Sequence, residues 1–149
     1  MSGTGKSTAL AALAEQGFET VDTDVGGWSE WSDEAGGYLW REDRIAALLD
    51  QERSTTLFLS GTVSNQGRFY PRFGAVVLLS APLEVVLERI ATRTTNDYGK
   101  SPQEREAVRR EAVEVEPLLR ATCTHEIDST LPLDAVVAEL ARIGAALDR

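Results

Sequence analysis

The sequence predicts an α/β domain with a mainly parallel β-sheet, and two observations lead to this prediction. Short apolar segments of strand length alternate along the chain with longer segments in which apolar residues recur at helical spacing. Such alternation of strands with helices is typical of a parallel sheet. The 149 residues are 42% hydrophobic and 26% charged, which suits one globular domain with a buried core.

The N-terminal part begins this alternation. A helix is predicted over residues 6–16, because Leu10 and Leu13 recur at helical spacing among alanines and Gly17 is placed to end it. A short strand over 18–22 follows, in which apolar and polar residues alternate.

The middle of the chain contains one further helix and two further strands by the same criteria. The predicted segments are an irregular loop over 24–37, an amphipathic helix over 39–51, a strand over 55–60, a polar and aromatic segment over 63–72 and a strand over 75–80.

The last part of the chain is mainly helical. Pro82 suits the first turn of one helix, and Pro102 begins a second, charged helix that ends near Leu119. A short strand over 125–128 and an amphipathic helix over 133–147 follow. The sequence therefore shows only four strands, which is few for a domain of this class.

The composition excludes several kinds of partner. The formal charge of −9 and a pI of about 4.6 oppose binding to the phosphate backbone of a nucleic-acid polymer. The longest apolar run, residues 75–79, is too short to cross a bilayer, so no membrane partner is expected. Because the single cysteine, Cys123, has no partner for an internal disulfide, a cytoplasmic location is expected, with this thiol buried as a small apolar group.

The N-terminal residues carry the most specific motif. Met1-Ser-Gly-Thr-Gly-Lys-Ser-Thr8 matches the phosphate-loop pattern G-x-x-x-x-G-K-[ST] from Gly5 onward and leads directly into a helix. Gly3 and Gly5 let backbone N–H groups turn toward a phosphate, Lys6 reaches the β- and γ-phosphates, and the Ser7 hydroxyl can ligate Mg²⁺. A chance match in a flexible tail is the alternative. The predicted nucleotide-binding residues of the loop are Ser2, Gly3, Thr4, Gly5, Lys6, Ser7 and Thr8.

This motif is incomplete at its start. Its first glycine would lie one position before Met1, and the strand that should lead into the loop, typically about 5–6 residues long, is absent. We therefore expect the natural protein to carry a short apolar segment ending in Gly before Met1. Without that strand the sheet is expected to be weaker.

Four further segments follow the loop in a fixed order. They are Val21-Asp-Thr-Asp24 at a strand end, Leu57-Phe-Leu-Ser-Gly61, the strand and helix over 76–93, and Ile127-Asp-Ser-Thr130. Together with the loop they resemble the P-loop kinases of small molecules and nucleoside monophosphates, such as shikimate, gluconate and adenylate kinases, and AAA-type ATP-binding proteins. The resemblance extends over nearly the whole chain. It implies a three-layer α/β/α P-loop NTPase fold whose first, central strand is missing from this chain, and it implies binding of ATP with Mg²⁺.

The resemblance also implies separate roles for the two aspartates that end the strand over 18–22. Asp22, with Ser7, would hold Mg²⁺, and Asp24 would bind or activate the hydroxyl of a phosphoryl acceptor. A pair of turn-forming aspartates is the alternative. No aspartate ends the strand over 55–60, which departs from the family pattern and places more weight on Asp22.

Arginines near the end of the helix that begins at Pro82 are candidates for charge stabilisation. Arg89 and Arg93 lie four positions apart on one helix face, and such arginines in the family contact adenine or phosphates during phosphoryl transfer. The alternative is a solvated pair beside Glu84 or Glu88. The predicted catalytic residues are Lys6, Asp24, Arg89 and Arg93.

Two further segments gain a role from the resemblance. Residues 94–110 occupy the position of a lid that closes over ATP, and Asn96 is one of its polar residues. Thr130 and Pro132 are implied to contact the adenine. The candidate cations of the lid are Arg105, Arg109 and Arg110. At least one of them is expected only to pair with a neighbouring Glu.

The acceptor-binding segment is placed at about 24–53. Its aromatic residues are expected to form either a stacking wall for a ring or sugar face, or a small core, and the core is favoured for Trp40, beside Leu39 in the predicted helix. Arg41 and Arg44 would meet an anionic acceptor. The aromatic residues are Trp28, Trp31, Tyr38 and Trp40. The predicted acceptor-binding residues are Asp24, Arg41, Gly61 and Arg68.

These features favour an ATP- and Mg²⁺-dependent kinase of a small metabolite. The alternatives are a nucleotide-binding regulatory NTPase without a small-molecule acceptor, and a domain that binds nucleotide weakly or not at all. The expected partners are a nucleotide and a small acceptor, and the chain is expected to be a monomer or a weak homodimer.

Overall fold

The computed structural model describes residues 3–94 and 97–147. The secondary structure is α1 Lys6–Glu15, β1 Glu19–Asp22, β2 Ser29–Ser32, β3 Gly37–Trp40, α2 Glu42–Asp50, β4 Leu57–Ser60, a 3₁₀ helix Gln66–Arg72, β5 Val77–Ser80, α3 Leu83–Thr92, α4 Pro102–Glu114, α5 Glu116–Thr122, β6 His125–Asp128 and α6 Leu133–Leu147.

The chain divides into two compact units, which are named here by their parallel strands. The β5–β6 unit contains the residues up to Lys6 and the segment Ala75–Leu140. The β1–β4 unit contains Ser7–Gly74 and the residues from Ala141 onward. The chain passes between the units three times: inside α1, between Gly74 and Ala75, and inside α6.

The β1–β4 unit contains two pairs of strands and one hydrophobic core cluster. Strands β1 and β4 pair in parallel, from Glu19 opposite Leu57 to Asp22 opposite Ser60. Strands β2 and β3 form an antiparallel hairpin. The buried core residues Trp40, Ile45 and Phe69 pack against the half-buried side chains of Trp28, Ala46, Leu49, Leu59, Val63 and Phe73.

A buried threonine joins the hairpin to the parallel strands. Thr23, only 1% exposed, follows β1, and both its N–H (3.0 Å) and its Oγ1 (2.7 Å) donate to the Ser60 carbonyl at the end of β4. The same hydroxyl accepts a hydrogen bond from the Trp40 indole N–H at 2.9 Å. Ser29 Oγ in β2 donates to the Thr23 carbonyl at 3.2 Å. Gly61 is required beside this group, because a Cβ at that position would overlap the Thr23 hydroxyl.

The β5–β6 unit contains a second parallel pair of strands together with α3, α4, α5 and the first part of α6. Strands β5 and β6 pair from Val77 opposite His125 to Ser80 opposite Asp128. The core residues Val86, Ile90 and Val108 come from α3 and α4 and pack against Ala81, Leu83 and Leu87. Helix α4 begins with an N-cap serine: Ser101 Oγ accepts from the Glu104 N–H at 3.2 Å and donates to the Glu104 carboxylate at 3.1 Å.

Three sequence-based assignments are wrong. The segment 24–37, predicted as an irregular loop, contains β2, because Gly36, at φ +69°, permits the reversal into β3, with which β2 pairs. The helix predicted from residue 39 begins at Glu42, so Trp40 lies in a strand. The single helix predicted after Pro102 is interrupted at Val115, since Pro117 has no N–H to continue the α4 ladder.

The α/β class and the parallel pairing are confirmed. Within the described residues, six strands form three two-stranded sheets, so the four strands expected from the sequence are present together with the unpredicted hairpin. The three-layer arrangement and a missing central strand stay predictions. None of the described helices has the length and apolar character that a bilayer-spanning helix needs.

Loss of the Thr23 hydroxyl is expected to destabilise the β1–β4 unit. Thr23→Val keeps the branched shape but leaves the buried Trp40 N–H without its acceptor, so the free energy of unfolding should fall by about 1–3 kcal/mol. Urea denaturation followed by tryptophan fluorescence measures this change. Thr23→Ser, which retains the hydroxyl, is the matched control, and equal stability of the two variants would contradict the role given to these hydrogen bonds.

Candidate functional site

The phosphate-loop residues adopt the backbone that the sequence pattern requires. Gly3 (φ +78°) and Gly5 (φ +89°) both have left-handed backbones, and α1 begins immediately afterwards at Lys6. Alternating left- and right-handed residues turn successive N–H groups toward one side, and a helix N-terminus adds a positive dipole. Thr4, between the glycines, is buried at 3% exposure. This segment therefore fits a phosphate group.

Gly3 is also required by packing. A Cβ at this position would lie 2.8 Å from Val86 Cγ1, 3.0 Å from the Val86 carbonyl oxygen and 3.1 Å from Ile90 Cγ1. The loop backbone therefore lies directly on the buried face of α3. At Gly5, by contrast, a Cβ would meet no atom within 4 Å, so the second half of the loop has space beside it for a ligand.

Ser7 and Asp22 form a hydroxyl–carboxylate pair at the start of α1. Ser7 Oγ donates to Asp22 Oδ2 at 2.8 Å, and the Asp24 N–H donates to Asp22 Oδ1 at 3.0 Å, so both carboxylate oxygens are held. Thr23 points into the core between the two aspartates, and Asp24 is exposed. Hydroxyl and carboxylate oxygens are ligands that suit Mg²⁺, which retains several waters and uses few protein groups. The pair therefore fits a magnesium site.

Arg89 links the phosphate loop to the turn after β6. Its Nη1 donates to the Gly3 carbonyl at 3.4 Å and to Ser129 Oγ at 3.1 Å, and its Nη2 donates to the Ser129 carbonyl at 2.6 Å. In the same turn, Thr130 donates through its hydroxyl (2.6 Å) and its N–H (2.9 Å) to Asp128 Oδ1. These two bonds, helped by the positive charge of Arg89, lower the pKa of Asp128.

Pro132, the other predicted adenine contact, caps the start of α6. Its carbonyl accepts hydrogen bonds from the Ala135 and Val136 N–H groups at 3.0 and 3.1 Å. Pro132 and Thr130 thus belong to one short turn between β6 and α6. The adenine contact assigned to them stays a prediction.

The start of the predicted lid is tied to the end of α3. Arg93 Nη2 donates to the Tyr98 carbonyl at 2.6 Å, and Lys100 Nζ donates to the Arg93 carbonyl at 2.6 Å. Burial, with the nearby carboxylates of Glu111 and Glu104, raises the pKa of the Tyr98 hydroxyl. Among the candidate lid cations, Arg109 pairs with its helix neighbour Glu106 at 3.4 Å. The predicted residues Ser2 and Asn96 lie outside the described residues.

A comparison with known families agrees with this geometry. A family model described as an AAA domain matches residues 1–116, more than three quarters of the chain. The chain belongs to the AAA domain family. The family supports P-loop nucleotide binding, typically with Mg²⁺. The assignment of individual nucleotide contacts to residues 3–8 stays a prediction. No curated protein matches the sequence.

The acceptor residues predicted for this AAA domain lie in different settings. Arg41 is exposed and directly precedes α2, where its N–H donates to the Trp28 carbonyl at 2.8 Å. Arg68 pairs with Glu42 at 3.2 Å. Gly61 lies against Thr23, at the end of β4. Their contacts with an acceptor stay predictions.

Two residues organise the segment around the β2–β3 hairpin. From the sequence, Arg44 was expected to meet an anionic acceptor and Asn65 was given no role. Arg44 donates to the carbonyls of Gly26 and Gly27 at 3.0 and 2.7 Å, and its guanidinium lies 4.3 Å from the Trp28 ring centroid. Asn65 accepts from the Trp40 N–H and donates to the Trp40 carbonyl, each at 3.0 Å. The sequence could not have indicated the role of Asn65, because an asparagine in a polar run is not a distinctive pattern. For Arg44, its position downstream of a Gly-Gly-Trp segment is only a weak indication of its contacts.

Cys123 and His125 complete the sequence-based candidates. Cys123, expected to be buried, is half-buried just after α5, where its Sγ donates to the Arg120 carbonyl at 3.4 Å. That expectation is wrong, because the thiol follows the last helical turn instead of facing the core. His125 is exposed and lies at the start of β6, the strand that the sequence predicted over 125–128.

The close packing at Gly3 leads to a test of the loop. Gly3→Ala places a Cβ against Val86 and forces a left-handed backbone on alanine, which alone costs about 1–2 kcal/mol. We expect at least roughly a tenfold loss of affinity for ATP, since about 1.4 kcal/mol is a factor of ten. Calorimetric titration with ATP–Mg²⁺ measures the affinity. Gly67→Ala, where a Cβ would meet nothing within 4 Å, is the control, and equal affinities would show that loop geometry does not govern binding.

Proposed function

We propose that this AAA domain is a kinase that transfers the γ-phosphoryl group of ATP to a hydroxyl group of a small metabolite and requires Mg²⁺. The observation that carries the proposal is the hydrogen-bonded set Ser7–Asp22–Asp24, in which one carboxylate is fixed beside the phosphate-loop serine and a second is exposed two residues later. One group is thereby available for the metal and one for the acceptor.

Binding of the ATP phosphates is assigned to the loop and to α1. The N–H groups that follow Gly3 and Gly5, and the ammonium group of Lys6, would surround the β- and γ-phosphates. Thr8, in the first turn of α1, adds a further hydroxyl near the same helix end. The positive charge is confined to the loop and the start of α1, so a protein with a negative net charge can still bind an anion there.

The metal is assigned to Ser7 and Asp22. Bound Mg²⁺ would neutralise part of the phosphate charge that develops during transfer. The Asp24 N–H orients the Asp22 carboxylate through its bond to Oδ1, so the carboxylate needs little rearrangement when the cation binds. Within the described residues, the carboxylate of Asp22 is hydrogen-bonded to Ser7, whereas no such bond joins Asp24 to Ser7.

The transfer step uses the exposed carboxylate of Asp24. The oxygen of the acceptor hydroxyl forms a bond to the γ-phosphorus, the bond from that phosphorus to the β–γ bridging oxygen breaks, and ADP leaves with the bond electrons. The hydroxyl proton passes to Asp24. Arg89 and Arg93 would offset the developing charge. Arg89 additionally holds the loop in place through the Gly3 carbonyl.

A regulatory nucleotide hydrolase without a small acceptor is the second candidate. It is favoured by the end of β4, where Ser60 and Gly61 stand in place of a second carboxylate. Consumption of ATP that depends on an added acceptor distinguishes the kinase, whereas capture of a partner protein only in the presence of ATP supports the hydrolase.

Removal of the metal carboxylate or of the loop lysine tests the kinase. In the presence of a productive acceptor, Asp22→Asn and Lys6→Ala should each lower kcat roughly 100-fold or more, because each removes charge stabilisation from the transferred group. ADP release measured with a coupled assay gives kcat. Asp43→Asn, an exposed aspartate in the first turn of α2, is the matched control.

A broad panel of hydroxylated metabolites, tested as phosphoryl acceptors, decides whether the kinase proposal is correct. Failure of the AAA domain to transfer phosphate from ATP–Mg²⁺ to any compound of a broad panel of hydroxylated metabolites would contradict it. Unchanged acceptor-dependent turnover in Asp22→Asn would contradict the assignment of the metal site while leaving the reaction in place.

A further inference from the structure

The β2–β3 hairpin presents two large aromatic side chains to solvent. Trp31 is 57% exposed and Tyr38 is 61% exposed, although both are large and apolar. They lie directly opposite each other in the hairpin, and their rings meet edge to face at a centroid distance of 5.4 Å and an angle of 83°. The Trp31 indole N–H donates to Asp33 Oδ1 at 2.7 Å, which holds the ring in place. These two rings with Asp33 are called the aromatic platform.

The aromatic platform lies on the hairpin face that is attached to Thr23. Side chains two positions apart on a strand share a face, so Trp31 and Tyr38 lie on the same face as the neighbouring pair Ser29 and Trp40. Both members of that neighbouring pair are hydrogen-bonded to Thr23. The platform is therefore only about 7 Å along the strands from groups that contact the residue between Asp22 and Asp24.

The charged side chains of the segment 24–40, which carries the aromatic platform, have one sign. The segment 24–40 contains four carboxylates and no Lys, Arg or His. The next basic side chain in sequence is that of the exposed Arg41. Two later arginines are engaged elsewhere: Arg44 binds two loop carbonyls and covers Trp28, and Arg68 pairs with Glu42. The four carboxylates belong to Asp24, Glu30, Asp33 and Glu34.

This combination discriminates between possible acceptors. An anionic acceptor would be repelled by the local carboxylates and by the net charge of −9. A cation gains from the carboxylates and also from the faces of exposed Trp and Tyr rings, which attract ammonium groups by about 0.5–2 kcal/mol. Exposed aromatic rings beside acidic side chains are thus suited to a positively charged ligand.

We propose that the phosphoryl acceptor is a small hydroxylated cation, an amine or quaternary ammonium compound, whose positive group binds the aromatic platform while its hydroxyl reaches Asp24. This inference rests on the proposed kinase function. The acceptor oxygen gains the phosphoryl group, ADP is released, and the hydroxyl proton passes to Asp24, so the ammonium group itself is unchanged by the reaction. This cationic acceptor replaces the anionic acceptor expected for Arg41 and Arg44.

A matched set of hexoses tests the charge preference. Glucosamine, glucose and glucuronate share one ring and carry a positive, zero and negative charge, and choline and kanamycin add two further hydroxylated cations. We expect kcat/KM, measured as acceptor-dependent ADP release at neutral pH, to be highest for members of the cationic group. Calorimetric titration of the same compounds into the protein with ADP–Mg²⁺ measures binding independently of turnover.

Variants of the aromatic platform test its role. Trp31→Leu keeps an apolar side chain but removes the ring, and Asp33→Asn keeps an oxygen for the indole N–H but removes the charge. Each should weaken binding of the preferred cation by about 2- to 30-fold and leave glucose unaffected. Trp31→Phe should restore most of the affinity. Leu118→Ala, which removes another exposed apolar side chain, on α5, is the control.

The results separate this inference from the kinase proposal. If glucose or glucuronate is the better acceptor, or if Trp31→Leu leaves cation binding unchanged, the cationic acceptor is wrong while the kinase stands. If no compound is phosphorylated but choline or kanamycin binds and Trp31→Leu abolishes that binding, the platform is supported and the kinase is contradicted. If Trp31→Leu instead converts a dimer into a monomer in sedimentation and no cation binds, the platform covers a second copy of the chain and the inference is overturned.

Discussion

The hydrogen bonds of Thr23 are the constraint on which the arrangement of the β1–β4 unit depends. One buried hydroxyl donates to the end of β4 and accepts from the Trp40 indole, so it fixes two strands and the hairpin at one point. Because Thr23 faces the core, its neighbours Asp22 and Asp24 are left at the surface. Position 61 requires glycine, because a Cβ there would overlap the Thr23 hydroxyl. The arrangement of the carboxylates is thus a consequence of core packing.

Groups that favour anions and groups that favour cations are concentrated in different segments of this protein. The phosphate loop offers backbone N–H groups, a helix N-terminus and Lys6, which together favour an anion without a large basic surface. The hairpin that follows carries only carboxylates among its charged side chains. A protein with a net charge of −9 can therefore bind a nucleotide locally while the rest of its surface repels polyanions.

Local patterns predicted the parts of the site that depend on consecutive residues. The loop glycines, the start of α1 at Lys6 and the bounds of β6 and α6 follow from the sequence, since φ preferences and short-range periodicity decide them. The β2–β3 hairpin did not follow. Its strands have four residues each, and their pairing depends on the contact of Trp40 with Thr23 and Phe69, which no local window contains.

The sequence by itself determined the phosphate loop and the α/β class, because both arise from interactions among residues close together in the chain. Only the tertiary structure decided which hydroxyl meets which carboxylate, as Ser7 and Asp22 do across fifteen positions. It also decided that Arg89 binds the Gly3 carbonyl and that Trp31 and Tyr38 remain exposed while Trp40 is buried. Those outcomes depend on burial and on long-range hydrogen bonds, which exist only once the strands and helices have packed together.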